Sequence, residues 1–153
     1  MSRFLPDTSV MVAAMCAWHE HHDSATGALE SRLARGEDMV VAAPTLVETY
    51  AVLTRLPAPH RLSPADSIRL LEANFMHGAP LVTLDAKGYG ALLRKAPESG
   101  VFGGRVYDAV IAACAVRAGV SALLTLNAKD FDSFATQDLE IVDPSRRRET
   151  RER

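Results

Sequence analysis

The chain alternates short apolar runs with longer stretches in which apolar residues recur every three or four positions. Runs at residues 3–6, 39–42, 81–84, 122–126 and 139–142 are bounded by turn or capping residues and read as strands. The stretches between them carry helical period and helix punctuation. Residues 24–35 stop at Gly36, residues 44–56 open on Pro44 and stop before Pro57, residues 63–74 open on Ser63, and residues 107–117 precede Gly119. Strand–helix alternation predicts an α/β domain with a mainly parallel five-stranded sheet, because parallel strands need long crossover connections and helices supply them. Residues 97–104 read as a loop, and the chain has no internal repeat. Apolar residues in the helices at 47–56 and 63–75 exceed what one sheet face can cover, which predicts a partner groove or a dimer contact there.

Composition narrows this picture. With 153 residues, 48% of them hydrophobic and 24% charged, the chain fits one domain around one core. Its longest apolar stretches, such as residues 109–116, fall far short of the roughly 20 residues that span a bilayer. No charged-then-apolar leader opens the chain, so the expectation is a cytoplasmic protein without membrane contact. Cys16 and Cys114 lie singly inside apolar helical patterns and read as core packing. A formal net charge of −2 excludes a protein that coats nucleic acid through bulk charge, while leaving room for local basic patches. Residues 145–153 hold five arginines, two glutamates and no apolar side chain, so a basic, disordered tail is expected after a folded domain at 1–144.

Three carboxylates interrupt otherwise apolar surroundings, each where a strand or loop hands over to a helix. Asp7 follows the first strand in Phe4-Leu5-Pro6-Asp7-Thr8-Ser9, Glu48 sits in the first turns of the helix after Pro44, and Asp108 opens the helix in Tyr107-Asp108-Ala109-Val110-Ile111. In open α/β sheets the carboxyl ends of the strands form the crevice where ligands bind, so residues distant in sequence can converge there. Each acid also has a purely local explanation. Asp7 could cap a helix starting near Val10, Thr45 to Glu48 has the spacing of a capping box, and Asp108 could complement a helix dipole. His19, His21 and His22 beside Trp18 lack the face-sharing spacing of helical zinc ligands and read as an exposed helix-entry segment. Asp85 reads as a cap or turn residue, and no glycine cluster stands in the strand–glycine–helix context of a phosphate cradle.

Taken together, Asp7-Thr8-Ser9, Val47-Glu48-Thr49-Tyr50-Ala51-Val52-Leu53, the run from Tyr107 through Ala115, and Thr125-Leu126-Asn127-Ala128-Lys129-Asp130-Phe131 resemble the successive motifs of PIN-domain nucleases. The resemblance runs from Phe4 to Pro144 and is greatest to the VapC toxins of toxin–antitoxin systems. Pro6 and Asn127 depart from it, the latter standing where many relatives carry an aspartate.

The resemblance implies a PIN-like three-layer α/β/α fold with strand order 3-2-1-4-5 and an acidic pocket at the strand ends that takes Mg²⁺, with Mn²⁺ able to substitute. It implies Asp7 and Asp108 as metal ligands, with Glu48 orienting or deprotonating the attacking water or holding a second metal. Asp130 would complete the catalytic acids, with Thr8, Ser9 and Asn127 in support and Arg105 and Lys129 contacting RNA. One helical turn starting at Asn127 would turn Asp130 toward the pocket and Asp132 away, although Asn127 as a helix cap with Asp130 in its first turn is an equally local alternative. The implied activity is a metal-dependent endoribonuclease toxin that hydrolyses phosphodiester bonds in tRNA or another structured RNA, leaving a 5′-phosphate and a 3′-hydroxyl. Its implied partners are a small antitoxin and a second copy of itself. A housekeeping RNA-processing nuclease and a catalytically silent binding module are the alternatives, and the joint presence of Asp7, Glu48 and Asp108 speaks against the last.

Overall fold

A computed structural model of the chain describes residues 2–146. The described residues form strands β1 (Arg3–Pro6), β2 (Asp38–Met39), β3 (Val41–Ala42), β4 (Leu81–Val82), β5 (Ala122–Leu124) and β6 (Glu140–Val142). The helices are α1 (Thr8–Met15), α2 (His22–Ala34), α3 (Ala43–Arg55), α4 (Pro64–Leu71), α5 (Ala86–Lys95), α6 (Arg105–Arg117) and α7 (Ala128–Phe131). A π-helical turn at Glu72–Met76 continues α4, and a 3₁₀ turn at Asp132–Phe134 follows α7.

All strand pairs are parallel, but the expected single five-stranded sheet is divided into a four-stranded sheet, β2-β1-β5-β6, and a β3-β4 pair. The division falls at Val40, where the backbone changes partner. Val40 N–H donates to Phe4 O at 2.9 Å, and Val41 N–H donates to Pro80 O at 3.0 Å. Read across that joint, the lateral order is β4, β3/β2, β1, β5, β6, which is the 3-2-1-4-5 arrangement with its second strand split.

Helices cover both faces, and the strand side chains sort between them with period two. Phe4, Val41, Ala122 and Leu124 enter one core with residues of α1, α2, α3, α4 and the π-helical turn. Leu5, Val40, Ala42 and Leu123 enter another with Ile111, Cys114 and Ala115 of α6. Burial on both faces explains why the strands read as continuous apolar runs instead of alternating ones. The two cysteines are buried and unpaired.

Helix boundaries follow local chemistry. Ser63 Oγ accepts the Asp66 N–H at the start of α4, and Asp85 Oδ1 accepts the Gly88 N–H at 2.7 Å to start α5, so Asp85 is the cap its position suggested. After α6 the chain turns back through Gly119 at φ 66°, a conformation that costs glycine nothing, and enters β5. Among the described residues, no helix is long and apolar enough to cross a membrane.

Candidate active site

The site begins where β1 stops. Pro6 has no N–H to give the sheet, and Asp7 resumes the ladder by donating its own to Leu124 O at 2.9 Å. Asp7 Oδ1 then accepts the Val10 N–H at 3.0 Å and the Ser9 hydroxyl at 2.6 Å. Ser9 Oγ in turn accepts the Leu126 N–H at 2.9 Å, which ties the start of α1 to the segment after β5. Asp7 is therefore a helix cap, as its position suggested, but it is also buried, with 3% of its surface exposed. A solvent-facing cap would satisfy Val10 without the cost of desolvating a charge.

That cost is visible in its acidity. Burial raises the Asp7 pKa to about 6, against the hydrogen bonds from Ser9, Thr125 and Val10 N–H that favour the anion, and Glu48 adds repulsion. Glu48 reaches this position on α3, which packs against α1 through Val12, Cys16 and Leu53. The capping box suggested by Thr45 and Glu48 is not formed. The helix already starts at Ala43, so Thr45 lies inside it with its hydroxyl buried and unpartnered, and the cap residue Ala42 has no side-chain bond to give.

Asp108 lies half-buried in the first turn of α6, whose cap residue Gly104 likewise offers no side-chain bond. Its pKa is also raised to about 6, first by burial and then by Asp130, Asp7 and Glu48, with Arg105 opposing. A carboxylate placed only to complement a helix dipole is stabilised as the anion. Asp108 is destabilised as one, and other acids are part of the reason.

Asp7, Thr8, Ser9, Glu48, Asp108 and Asn127 all line one cavity of about 260 Å³ at the strand ends. Asp130 is exposed on α7 and does not line it, yet of the three acids acting on Asp108 it acts most strongly. Asn127 makes no side-chain cap bond to α7, and the Asp130 N–H meets its backbone oxygen at 2.9 Å, so the capping alternative for Asn127 is absent. Arg105 does not line the cavity; it donates to Ser133 Oγ at 2.7 Å with its guanidinium 5.7 Å from the Phe134 ring centroid, and its charge favours the Asp108 anion. Lys129 is exposed on α7.

Two residues here escaped the sequence reading. Thr125 favours the Asp7 anion and its buried hydroxyl accepts the Asn127 N–H at 3.0 Å, a role that its place in a motif did not reveal. His19, read as part of an exposed segment, is half-buried and borders the cavity. The α1–α2 connection folds back to bring it there, and no residue spacing encodes that path.

Apart from His19, the polar lining offers oxygen donors, including a buried Thr8 hydroxyl with no partner. Such donors suit a hard divalent cation, whose charge would offset the burial and the lesser repulsion that keep Asp7 and Asp108 hard to ionise. Among the described residues, no three His, Cys, Asp or Glu side chains close into a ready metal cage. Mg²⁺ does not need one, since it binds through one or two carboxylates and takes its other ligands from water and phosphate.

A parallel α/β/α sheet with carboxylates gathered beyond its strand ends matches a known class. The chain belongs to the PIN domain family, whose model matches residues 4–136. Ribonuclease VapC40 of Mycobacterium tuberculosis is 38% identical over 136 residues, covering 89% of this chain and 95% of that protein. Among solved structures, VapBC2 of Rickettsia felis bound to a DNA fragment from its promoter superposes with a TM-score of 0.65 at 22% identity, over 92% of this chain and 98% of that one. VapC20 of Mycobacterium tuberculosis, a sarcin-ricin loop cleaving toxin, superposes with a TM-score of 0.63 at 15% identity, over 78% of this chain and 86% of that one. At those identities the two structures speak for the fold.

Proposed function

We propose that this protein is a Mg²⁺-dependent endoribonuclease that acts as the toxin of a toxin–antitoxin pair. The observation that carries the reading is the pairing of Asp7 and Asp108, both held at a pKa of about 6, with Glu48 around one cavity at the strand ends. Acids retained purely for stability have no reason to be gathered where they repel one another. The 38% identity to a protein named a ribonuclease points the same way.

In this mechanism Asp7 and Asp108 would hold the cation, with Thr8 and Asn127 offering neutral oxygens from the lining of the cavity. Bound there, Mg²⁺ supplies positive charge against the phosphate oxygens and favours deprotonation of water. The Ser9 hydroxyl and the Val10 N–H both hold Asp7 Oδ1, so the other carboxylate oxygen keeps one orientation. Glu48, exposed on α3, accepts the proton of the attacking water and orients it. Attack in line with the leaving 3′-oxygen, which takes up a proton from solvent as the P–O bond breaks, would leave a 5′-phosphate and a 3′-hydroxyl. Structured RNA, tRNA or a ribosomal loop, is the proposed substrate class, with Arg105 and Lys129 contacting its backbone.

The test is expression in a bacterial host lacking any cognate antitoxin, followed by mapping of the RNA ends. Growth should arrest and new 5′-phosphate ends should accumulate at discrete sites in structured RNA. Harmless expression of folded protein that cleaves no RNA with Mg²⁺ or Mn²⁺ would overturn the proposal.

A second apolar feature concerns assembly. The excess expected on the helices at 47–56 and 63–75 is greater on the first; on the second, Leu71 and Phe75 are consumed in the core and Ile68 stays 39% exposed. Instead α3, α5 and the start of α6 enclose an apolar groove of about 890 Å³, bordered by Val47, Leu93 and Tyr107 at 72%, 58% and 67% exposure. Monomers rarely leave such a surface open. A second copy of the chain is the proposed occupant, leaving the antitoxin to place a basic side chain among the carboxylates. Val47→Glu should convert a dimer to a monomer in sedimentation, since it buries a charge without a partner. A wild-type protein that sediments as a monomer at high concentration would refute the dimer.

A further inference from the structure

Four aromatic rings lead from the acidic cavity to open surface. His19 borders the cavity, Trp18 lies 5.8 Å from it, and Trp18 stacks on His60 with centroids 4.0 Å apart and planes within 21°. His21 flanks His19 at 5.8 Å. The rings come from two separate segments, the connection between α1 and α2 and the connection between α3 and α4, so the stack is built by the fold and not by sequence adjacency.

Trp18 is the only tryptophan of the chain, and it remains 48% exposed in spite of the stack. A tryptophan is the side chain with most to gain from burial. The large apolar groove between α3, α5 and α6 does not include it. Its ring neighbours are His19 and His60, and polar residues adjoin both in sequence, Glu20 after His19 and Arg61 after His60. A protein-docking face would ask for a contiguous apolar patch, whereas a single flat ring among polar groups suits a nucleobase.

The ring beside it is prepared for a phosphate. His21 N–H donates to His19 Nδ1 at 3.0 Å, so the neutral ring carries its proton on Nε2 and has that donor free. Besides the Asn127 amide, His19 is the one nitrogen donor among the side chains of a lining otherwise made of acids, hydroxyls and apolar groups.

We propose that the Trp18–His60 stack is the platform for an unpaired nucleobase adjoining the bond to be cut, and that His19 Nε2–H donates to the phosphate linking that nucleotide to the cavity. This rests on the ribonuclease reading above. It adds a recognition element that selects RNA with a splayed or looped nucleotide at the cleavage point over continuous duplex, because a base held in a helix cannot reach a protein ring.

The lone tryptophan makes the test direct. In Asp108→Asn protein with Mg²⁺, which binds without cutting, a short unlabelled single-stranded RNA should quench Trp18 emission saturably. The midpoint should match that found by anisotropy with the same RNA end-labelled. Trp18→Ala should weaken binding about tenfold, the size of losing one base stack, without changing the salt dependence, since stacking releases no counterions. Trp18→Phe should recover most of the affinity, and the melting temperatures of both variants should stay at the parent value. RNA that binds by anisotropy while leaving Trp18 emission and Trp18→Ala affinity unchanged overturns the platform, as does an emission change produced by a protein partner but not by RNA. Absence of RNA binding by anisotropy would instead remove the ribonuclease reading, and the platform with it.

Discussion

Asp7→Asn and Asp108→Asn are each expected to lower RNA cleavage on the order of a hundredfold or more at saturating Mg²⁺ while leaving the protein folded. Asn is nearly isosteric with Asp and an equally good helix cap, so the bond from Val10 N–H to residue 7 survives the first substitution. What disappears is a negative charge at the cavity. EDTA should abolish cleavage by the wild type, and Mg²⁺ or Mn²⁺ should restore it. Asp130→Asn should raise the Mg²⁺ concentration for half-maximal cleavage, because Asp130 acts on Asp108 more strongly than Asp7 or Glu48 does. Asp132→Asn, outside the charges that act on Asp108, serves as the matched control. Cleavage undiminished by Asp7→Asn would remove the assignment, and a fall in stability with unchanged metal dependence in Asp130→Asn would reduce Asp130 to a helix residue.

The residues that made this site legible in the sequence are those whose chemistry conflicts with their surroundings. Asp7 and Asp108 stand among apolar neighbours at strand and helix junctions, and that conflict is a property of residue type alone. Whether such an acid merely caps a helix could not be read there, since cap and ligand occupy the same position. Burial separates them: Asp7 caps α1 and is desolvated as well. Thr45 and Glu48 show the opposite case, where spacing suggested a local bond. The helix starts at Ala43, too early for Thr45 to be its cap.

What stayed hidden depends on backbone path. The change of partner at Val40 involves a backbone N–H that every residue but proline carries, so no side chain announces it. His19 reaches the cavity because the short connection after α1 turns back, and its histidine neighbours made the segment look solvated. The apolar residues after Ser63 had the pattern of a surplus face, yet a π-helical turn at Glu72–Met76 carries Phe75 into the core. The expectation of a basic tail at 145–153 falls mostly on residues 147–153, outside the described residues.

The second large effect is on stability and has the sign of a site kept for function. In the absence of metal, Asp7→Asn should be more stable than wild type at pH 7.5, by up to about 3 kcal/mol from the raised pKa alone. Asp7 has a folded-state pKa of about 6 against an ordinary carboxyl value of 3.8, so the folded state binds the proton more tightly than the unfolded chain does. Stability therefore falls as pH rises between those values, and the penalty is complete above them. The gap between variant and wild type should be full at pH 7.5, shrink through pH 6 and close only below about pH 3, where Asp7 is protonated in both states. Taking the difference cancels acids that shift the other way, such as Glu37 with its Arg35 and Arg32 partners. Mg²⁺ should raise the melting temperature of the wild type at pH 7.5 and leave Asp7→Asn nearly unmoved, because a ligand stabilises only the state that binds it. Thermal melts of both proteins across this pH range, with EDTA and with Mg²⁺, measure all of it. If Asp7→Asn is instead the less stable protein at pH 7.5, the Asp7 charge is a structural asset held by Ser9 and Val10, and the cavity loses its first proposed metal ligand.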